Sequence, residues 1–172
     1  NKILFVGRLS NGKNPELVID ALKNTQMEAD IIGDGELKDE LIRKIKKTKS
    51  KVSILNKVDN KKMPNLYKKY SIYVICSDVE GNPKTLLEAM SSSCAVVGTN
   101  VPGIKNVIEH LKTGLLVNKD EKSLRKALLE LFVNEKLRVK LGERARKQII
   151  KNNSLDIILD KEYSLYENLL KN

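Results

Sequence analysis

The sequence predicts an α/β fold: an open parallel sheet of about six strands, helices on both faces, and a helical C-terminal tail. Three observations lead there. From residue 2 to residue 117, short apolar runs alternate with stretches of helical length. The runs are apolar throughout, not at every second position, which marks strands covered on both faces. The prolines stand beside the openings of helical stretches and not inside the runs.

The first run is "KILFV" (2–6), followed by the loop "GRLSNGKN" (7–14). Gly7 lets the chain turn at the strand end. Arg8 and Lys13 place two cations at the mouth of a helix over 15–24. Asn14 and Pro15 read as its N-cap and first helical residue. Cations beside free helix amides make an anion site suited to a diphosphate. The plainer alternative is two exposed cations in a loop. The loop fits neither the GxGxxG nor the GxxxxGK[ST] pattern.

The second run, "EADIIG" (28–33), leads into "GDGE" (33–36), where Gly33 and Gly35 permit close backbone approach. A helix follows over 36–48, and its basic end, Arg43 to Lys51, suits a helix C-terminus. "KVSIL" (51–55) is the third strand, and a helix over 64–70 opens near Pro64. "IYVIC" (72–76) is the fourth, with Cys76 a small core residue.

"EGNPKTLLEAM" (80–90) carries the densest signal. Asn82 reads as N-cap and Pro83 as the first residue of a helix over 83–92, leaving the amides near Lys84, Thr85 and Leu86 free. Glu88 lies in the second turn, where an acceptor-only carboxylate can hold a ribose diol. Glu80 stands on the loop, beyond a phosphate held by those amides. Taken singly, each glutamate also reads as a solvated surface acid.

"CAVVGT" (94–99) and "GLLV" (114–117) complete the strands, with a short helix expected over 103–109 after Pro102. Beyond Val117 the pattern is helical over 120–133, 134–151 and 154–170. In the last stretch Leu155, Ile158, Leu159, Tyr163, Tyr166, Leu169 and Leu170 recur at steps of three and four, opposite Asp156, Asp160, Glu167 and Lys171. Ser154 is the expected N-cap.

The 172 residues suit one domain with a sizeable core. Formal net charge is +10, which a Lys-rich solvated surface explains, with an anionic ligand or membrane surface as sharper readings. Aromatics are 4% and Trp is absent, so base-stacking platforms, and with them nucleic acid, are not expected. Cys76 and Cys94 have no metal spacing, and the lone His110 reads as surface or loop. No metal is expected, and a cytoplasmic location is. The first residues are already a buried strand, so an excised domain is expected.

The series "FVGRLSNGKN", "IIGDGELKDEL", "SDVEGNPKTLLEAM", "AVVGTNVPGI" and "KTGLLV" resembles, in order and spacing, the C-terminal half of the group 1 (family 4) glycosyltransferases of the GT-B fold. The resemblance covers nearly the whole chain, and the Glu80-x7-Glu88 element is its most specific part. It implies a Rossmann-like domain over 1–172 that binds a nucleotide-sugar donor, expected to be UDP-linked, for retaining transfer without a metal. The N-terminal acceptor domain would be absent, and 154–172 would be the helix that crosses back to it. The acceptor would be a glycan or lipid-linked, with peripheral contact at the inner face of a membrane in view. By the same resemblance, Arg8 and Lys13 neutralise the diphosphate and Glu80 faces the sugar, the three with catalytic roles. Glu88 binds the ribose, backbone and side chain near Thr85 and Leu86 contact phosphate, and Gly7 and Lys84 also border the donor nucleotide. The base packs near Val58. The sequence departs from the family at Ser93, where a glycine is usual. A sugar phosphorylase or nucleotide-sugar epimerase of the same fold, and a non-catalytic basic module binding anions or nucleic acid, are the alternatives.

Overall fold

A computed structural model describes residues 2–170, so Lys171, expected on the polar side of the last helix, lies outside the described residues. Six strands form one parallel sheet: β1 (Lys2–Val6), β2 (Glu28–Ile32), β3 (Val52–Leu55), β4 (Ile72–Ile75), β5 (Ala95–Thr99) and β6 (Leu115–Val117). The helices are α1 (Pro15–Leu22), α2 (Lys38–Thr48), α3 (Met63–Tyr67), α4 (Lys84–Ser91), α5 (Glu121–Val133), α6 (Glu135–Asn153) and α7 (Leu155–Leu170). The strand order is β3-β2-β1-β4-β5-β6. The predicted α/β class, strand count, helical faces and helical tail are all present.

Side-chain alternation along the strands divides the core in two. Ile3 and Phe5 of β1 join Val18, Leu22, Leu41, Leu124 and Leu128, the face covered by α1, α2 and α5. Leu4 joins Tyr67, Tyr73, Leu86, Met90 and Ile149, the face covered by α3, α4 and α6. Both faces of β1 and β4 are therefore dry, which is why their sequences are apolar without alternation.

Several local expectations are corrected. Residues 103–107 form consecutive turns and 108–109 have no regular structure, so the expected helix over 103–109 is absent. Gly103 has φ +84, a conformation that interrupts helical geometry, yet Ile104 and Ile108 still pack inward against Gly98. Asn82 is not the N-cap of α4. Pro83 occupies that position at ψ 69, and the helix begins at Lys84. Asn14 stands at the N-cap of α1 at φ 49 but makes no capping bond. Gly7 is not required by a left-handed turn. The tight position is Gly33, where a Cβ would lie 1.9 Å from the Gly7 carbonyl oxygen.

Helix α7 displays its apolar residues to solvent. Leu155, Tyr163, Leu165, Tyr166 and Leu169 are all more than half exposed. Its row of three- and four-residue steps is present, but these side chains are not covered by this domain. Among the described residues, no helix is long and apolar enough to cross a membrane.

The end of α4 generates a test. Ser93 has φ 62, and its carbonyl oxygen lies 2.1 Å from where a Cβ on Gly142 of α6 would stand. Ser93→Gly is expected to stabilise the fold by about 0.5–1 kcal/mol by relieving left-handed strain. Gly142→Ala is expected to destabilise it by about 1–3 kcal/mol through overpacking. Urea unfolding measures both. Unchanged midpoints would show that this contact carries no strain.

Candidate functional site

The strand order turns back between β1 and β4, so the loops leaving their carboxyl ends diverge and leave a crevice. Polar contacts pin the two loops across the gap. Asn14 Nδ2 donates to the Cys76 carbonyl at 2.9 Å and to Asp78 Oδ1 at 2.7 Å, and the Asp78 amide donates to the Gly12 carbonyl at 3.0 Å. Lys119 Nζ lies 2.5 Å from the same Asp78 oxygen. Lys119 first, then Asn14, holds the Asp78 carboxyl below the ordinary carboxylate range. The side chain expected to cap α1 thus ties β1 to β4.

Two adjoining cavities fill the crevice. One, of about 430 Å³, is lined by Gly7, Arg8, Val58, Lys84, Thr85 and Glu88, with Asp34, Lys57 and Met63 among its other walls. The second, of about 220 Å³, is lined by Lys13, Ser77, Glu80 and Asn82 and shares Val6, Gly7, Lys84 and Thr85 with the first. Eight of the nine residues singled out from sequence therefore border one continuous crevice.

Leu86 is the exception. Its side chain is fully buried, and its amide donates to the Pro83 carbonyl at 2.9 Å. The Lys84 amide is also engaged, on the Asn82 carbonyl at 2.8 Å, because the chain turns before the helix starts. The Thr85 amide keeps no backbone acceptor among the described residues. An anion in the crevice would therefore meet this one amide, together with the Thr85 hydroxyl and the Lys84 side chain.

The charged groups differ in their engagement. Arg8 is exposed and has no ion-pair or hydrogen-bond partner among the described residues. Lys13 Nζ lies 2.5 Å from Glu80 Oε1, which also accepts from Ser77 Oγ at 2.5 Å. The Glu80 amide donates to the Pro102 carbonyl, and Gly103 lies so close that a Cβ there would stand 1.8 Å from the Glu80 carbonyl oxygen. Glu80 is thus held by its own loop, by the 102–103 turn and by Lys13. Glu88 Oε2 accepts from Tyr67 Oη at 3.0 Å, while Lys84 Nζ stands 3.9 Å from Oε1.

Sequence reasoning missed Ser77, Asn14 in its bridging role, and the tyrosines Tyr67 and Tyr73 beneath the crevice. Tyr73 lies within an apolar run and reads there as core. Its 2.7 Å contact with Thr85 Oγ1 shows that the phenol reaches the site.

Residues 1–148 match the model of the glycosyl transferases group 1, and the chain belongs to that family. It is 35% identical over 159 residues to a Campylobacter jejuni enzyme, GalNAc-alpha-(1->4)-GalNAc-alpha-(1->3)-diNAcBac-PP-undecaprenol alpha-1,4-N-acetyl-D-galactosaminyltransferase, covering 88% of this chain and 42% of the relative. The chain thus spans less than half the length of the curated relatives it matches. Among solved structures, the C-terminal domain of LpcC from Francisella tularensis superposes with a TM-score of 0.81 at 26% identity, covering 90% of this chain and 86% of that one. The S. aureus TarM structure, a complex with UDP and other ligands, gives 0.88 at 24% identity over 96% of this chain and 35% of that one, which speaks to the fold alone. The fold is that of the C-terminal half of GT-B glycosyltransferases.

The geometry sets two expectations for diphosphate binding. Arg8→Ala removes an unpartnered cation and is expected to weaken a nucleoside diphosphate about tenfold or more. Glu80→Gln removes the carboxylate that competes for Lys13 and is expected to strengthen it. Calorimetry on both variants reads the signs directly. Weaker binding by Glu80→Gln would mean that Lys13 does not move to the ligand.

Proposed function

We propose that this chain is the donor-binding part of a retaining glycosyltransferase that uses a nucleotide-diphosphate sugar, most simply a UDP-sugar. One observation carries the reading. Gly7, Arg8, Val58, Lys84, Thr85 and Glu88 line a single 430 Å³ cavity at the point where the strand order reverses, with Lys13 and Glu80 in the space adjoining it. Family membership supports the same reading.

In this proposal the ribose diol lies on Glu88, the base near Val58, and the diphosphate against Arg8, Lys13, Lys84 and Thr85. The sugar extends toward Glu80. When the bond from the anomeric carbon to the phosphate oxygen breaks, negative charge grows on the leaving diphosphate. Arg8, and Lys13 once donor binding has drawn it from Glu80, would already be in place to stabilise that charge when the bond breaks. Removing one would cost about 2–4 kcal/mol of transition-state stabilisation, by analogy with lost oxyanion-hole donors.

The acceptor is proposed to be a glycan on a lipid diphosphate, the kind of substrate named for the Campylobacter jejuni relative. On this reading the whole protein would work at the cytoplasmic surface of a membrane as a peripheral enzyme. The second wall of the cleft would come from the remainder of a longer protein, facing the crevice and the bare row on α7.

A thermal-shift series of nucleoside diphosphates and their sugars tests the donor reading. A ligand at about 100 times its dissociation constant adds about 2.7 kcal/mol of stability, and one nucleoside diphosphate is expected to do so with little loss in moderate salt. No response to any of them, with steeply salt-sensitive binding to DNA instead, would favour the basic-module alternative. The 172-residue chain alone is expected to bind donor without multiple-turnover transfer. Observed turnover would contradict the role given to the rest of the protein.

A further inference from the structure

Two buried tyrosines reach the floor of the crevice from below. Tyr67 of α3 is 1% exposed and Tyr73 of β4 is fully buried. Their rings stack edge to face with centroids 6.1 Å apart. Each phenol oxygen meets one polar side chain of the crevice. Tyr67 Oη donates to Glu88 Oε2 at 3.0 Å, and Tyr73 Oη lies 2.7 Å from Thr85 Oγ1 and 3.4 Å from the Val6 carbonyl.

We propose that Tyr67 and Tyr73 are positioning residues that set the hydrogen-bond polarity of the donor site, Tyr67 through Glu88 and Tyr73 through Thr85. The inference rests on the donor-binding reading above and goes beyond it by naming groups that never touch the ligand.

A phenol has one proton to give. The carboxylate of Glu88 cannot donate, so the Tyr67 proton must point at Glu88. That bond takes one lone pair of Oε2 and fixes the rotation of the carboxylate. Oε1 and the remaining lone pairs are left to accept from two ribose hydroxyls. In this proposal the Tyr73 proton goes to Thr85 Oγ1, the nearer of the two oxygens the phenol meets. The Thr85 hydroxyl proton is then free to turn into the crevice, where it can donate to a phosphate oxygen. Burial keeps both phenols protonated far above neutral pH, so the arrangement does not vary across working conditions. One buried pair thus presents an acceptor where a diol would lie and a donor where a phosphate would lie.

The test is calorimetry on the 172-residue chain with UDP, 2′-deoxy-UDP and uridine. Tyr67→Phe keeps the ring and is expected to weaken UDP about tenfold while affecting 2′-deoxy-UDP much less, so that discrimination between the two shrinks. Tyr73→Phe is expected to weaken both diphosphates alike and to leave uridine unchanged. Glu88→Ala and Thr85→Val give a second route that spares the buried rings. In the Glu88→Ala background, which removes the acceptor, Tyr67→Phe should cost nothing further, and likewise Tyr73→Phe in the Thr85→Val background. Equal losses for all three ligands in both tyrosine variants would make the pair merely structural and overturn the inference. A wild-type chain that binds none of the three would instead overturn the donor-site reading itself, and this inference with it.

Discussion

Everything at the site follows from the reversal of strand order between β1 and β4. Parallel strands send their carboxyl-end loops in one direction, and a reversal makes two neighbouring loops part company. Here the parting is stabilised and not left open. Asn14, held at φ 49, spans it with two hydrogen bonds, and Asp78 returns a third through its amide. Asparagine tolerates the left-handed region better than most side chains. Without that bridge, the Arg8 and Lys13 loop would have no fixed distance from Glu80.

The same crevice contains a competition. Lys13 Nζ lies 2.5 Å from Glu80 Oε1. On the proposed reading, a diphosphate would have to offer Lys13 more than this carboxylate does, and Glu80 would then rely on Ser77 and on the sugar. Arg8 faces no such rival. On the proposed donor-binding reading the two cations, equivalent when read from sequence, would hold different roles: Arg8 an open receptor and Lys13 one that exchanges partners. Glu80 itself cannot drift, because Gly103 and the Pro102 carbonyl hold its backbone.

The six strands were legible because each is apolar on both faces, which leaves an unbroken run in the sequence. The stretch 103–109 was misread as a helix because Ile104, Val107 and Ile108 imitate a helical stripe. Their burial instead depends on Gly98, whose missing side chain admits Ile104 from the next strand connection. Arg8, Glu80 and Glu88 could be picked out by a family pattern, but the pattern could not show that Pro83 displaces Asn82 as the cap. With Pro83 as the cap, Leu86 falls among the amides that an α-helix leaves free, and it is engaged only because the first turn tightens into a bond to the Pro83 carbonyl, which leaves Thr85 as the open one. The tyrosines were hidden for a different reason. Which face of a strand a phenol occupies depends on sheet order, and sheet order is not written in any local stretch.

The central claim is that one nucleotide-shaped crevice lies between β1 and α4. A titration of the ¹⁵N-labelled chain with UDP, followed by amide chemical shifts, tests it most directly. The account predicts that the largest shifts fall on Gly7, Arg8, Lys13, Val58, Thr85 and Glu88, with those of β6 and α5 scarcely moving. Shifts concentrated instead around His110, Val117 and Lys126, where a separate cavity of about 330 Å³ lies, would contradict it.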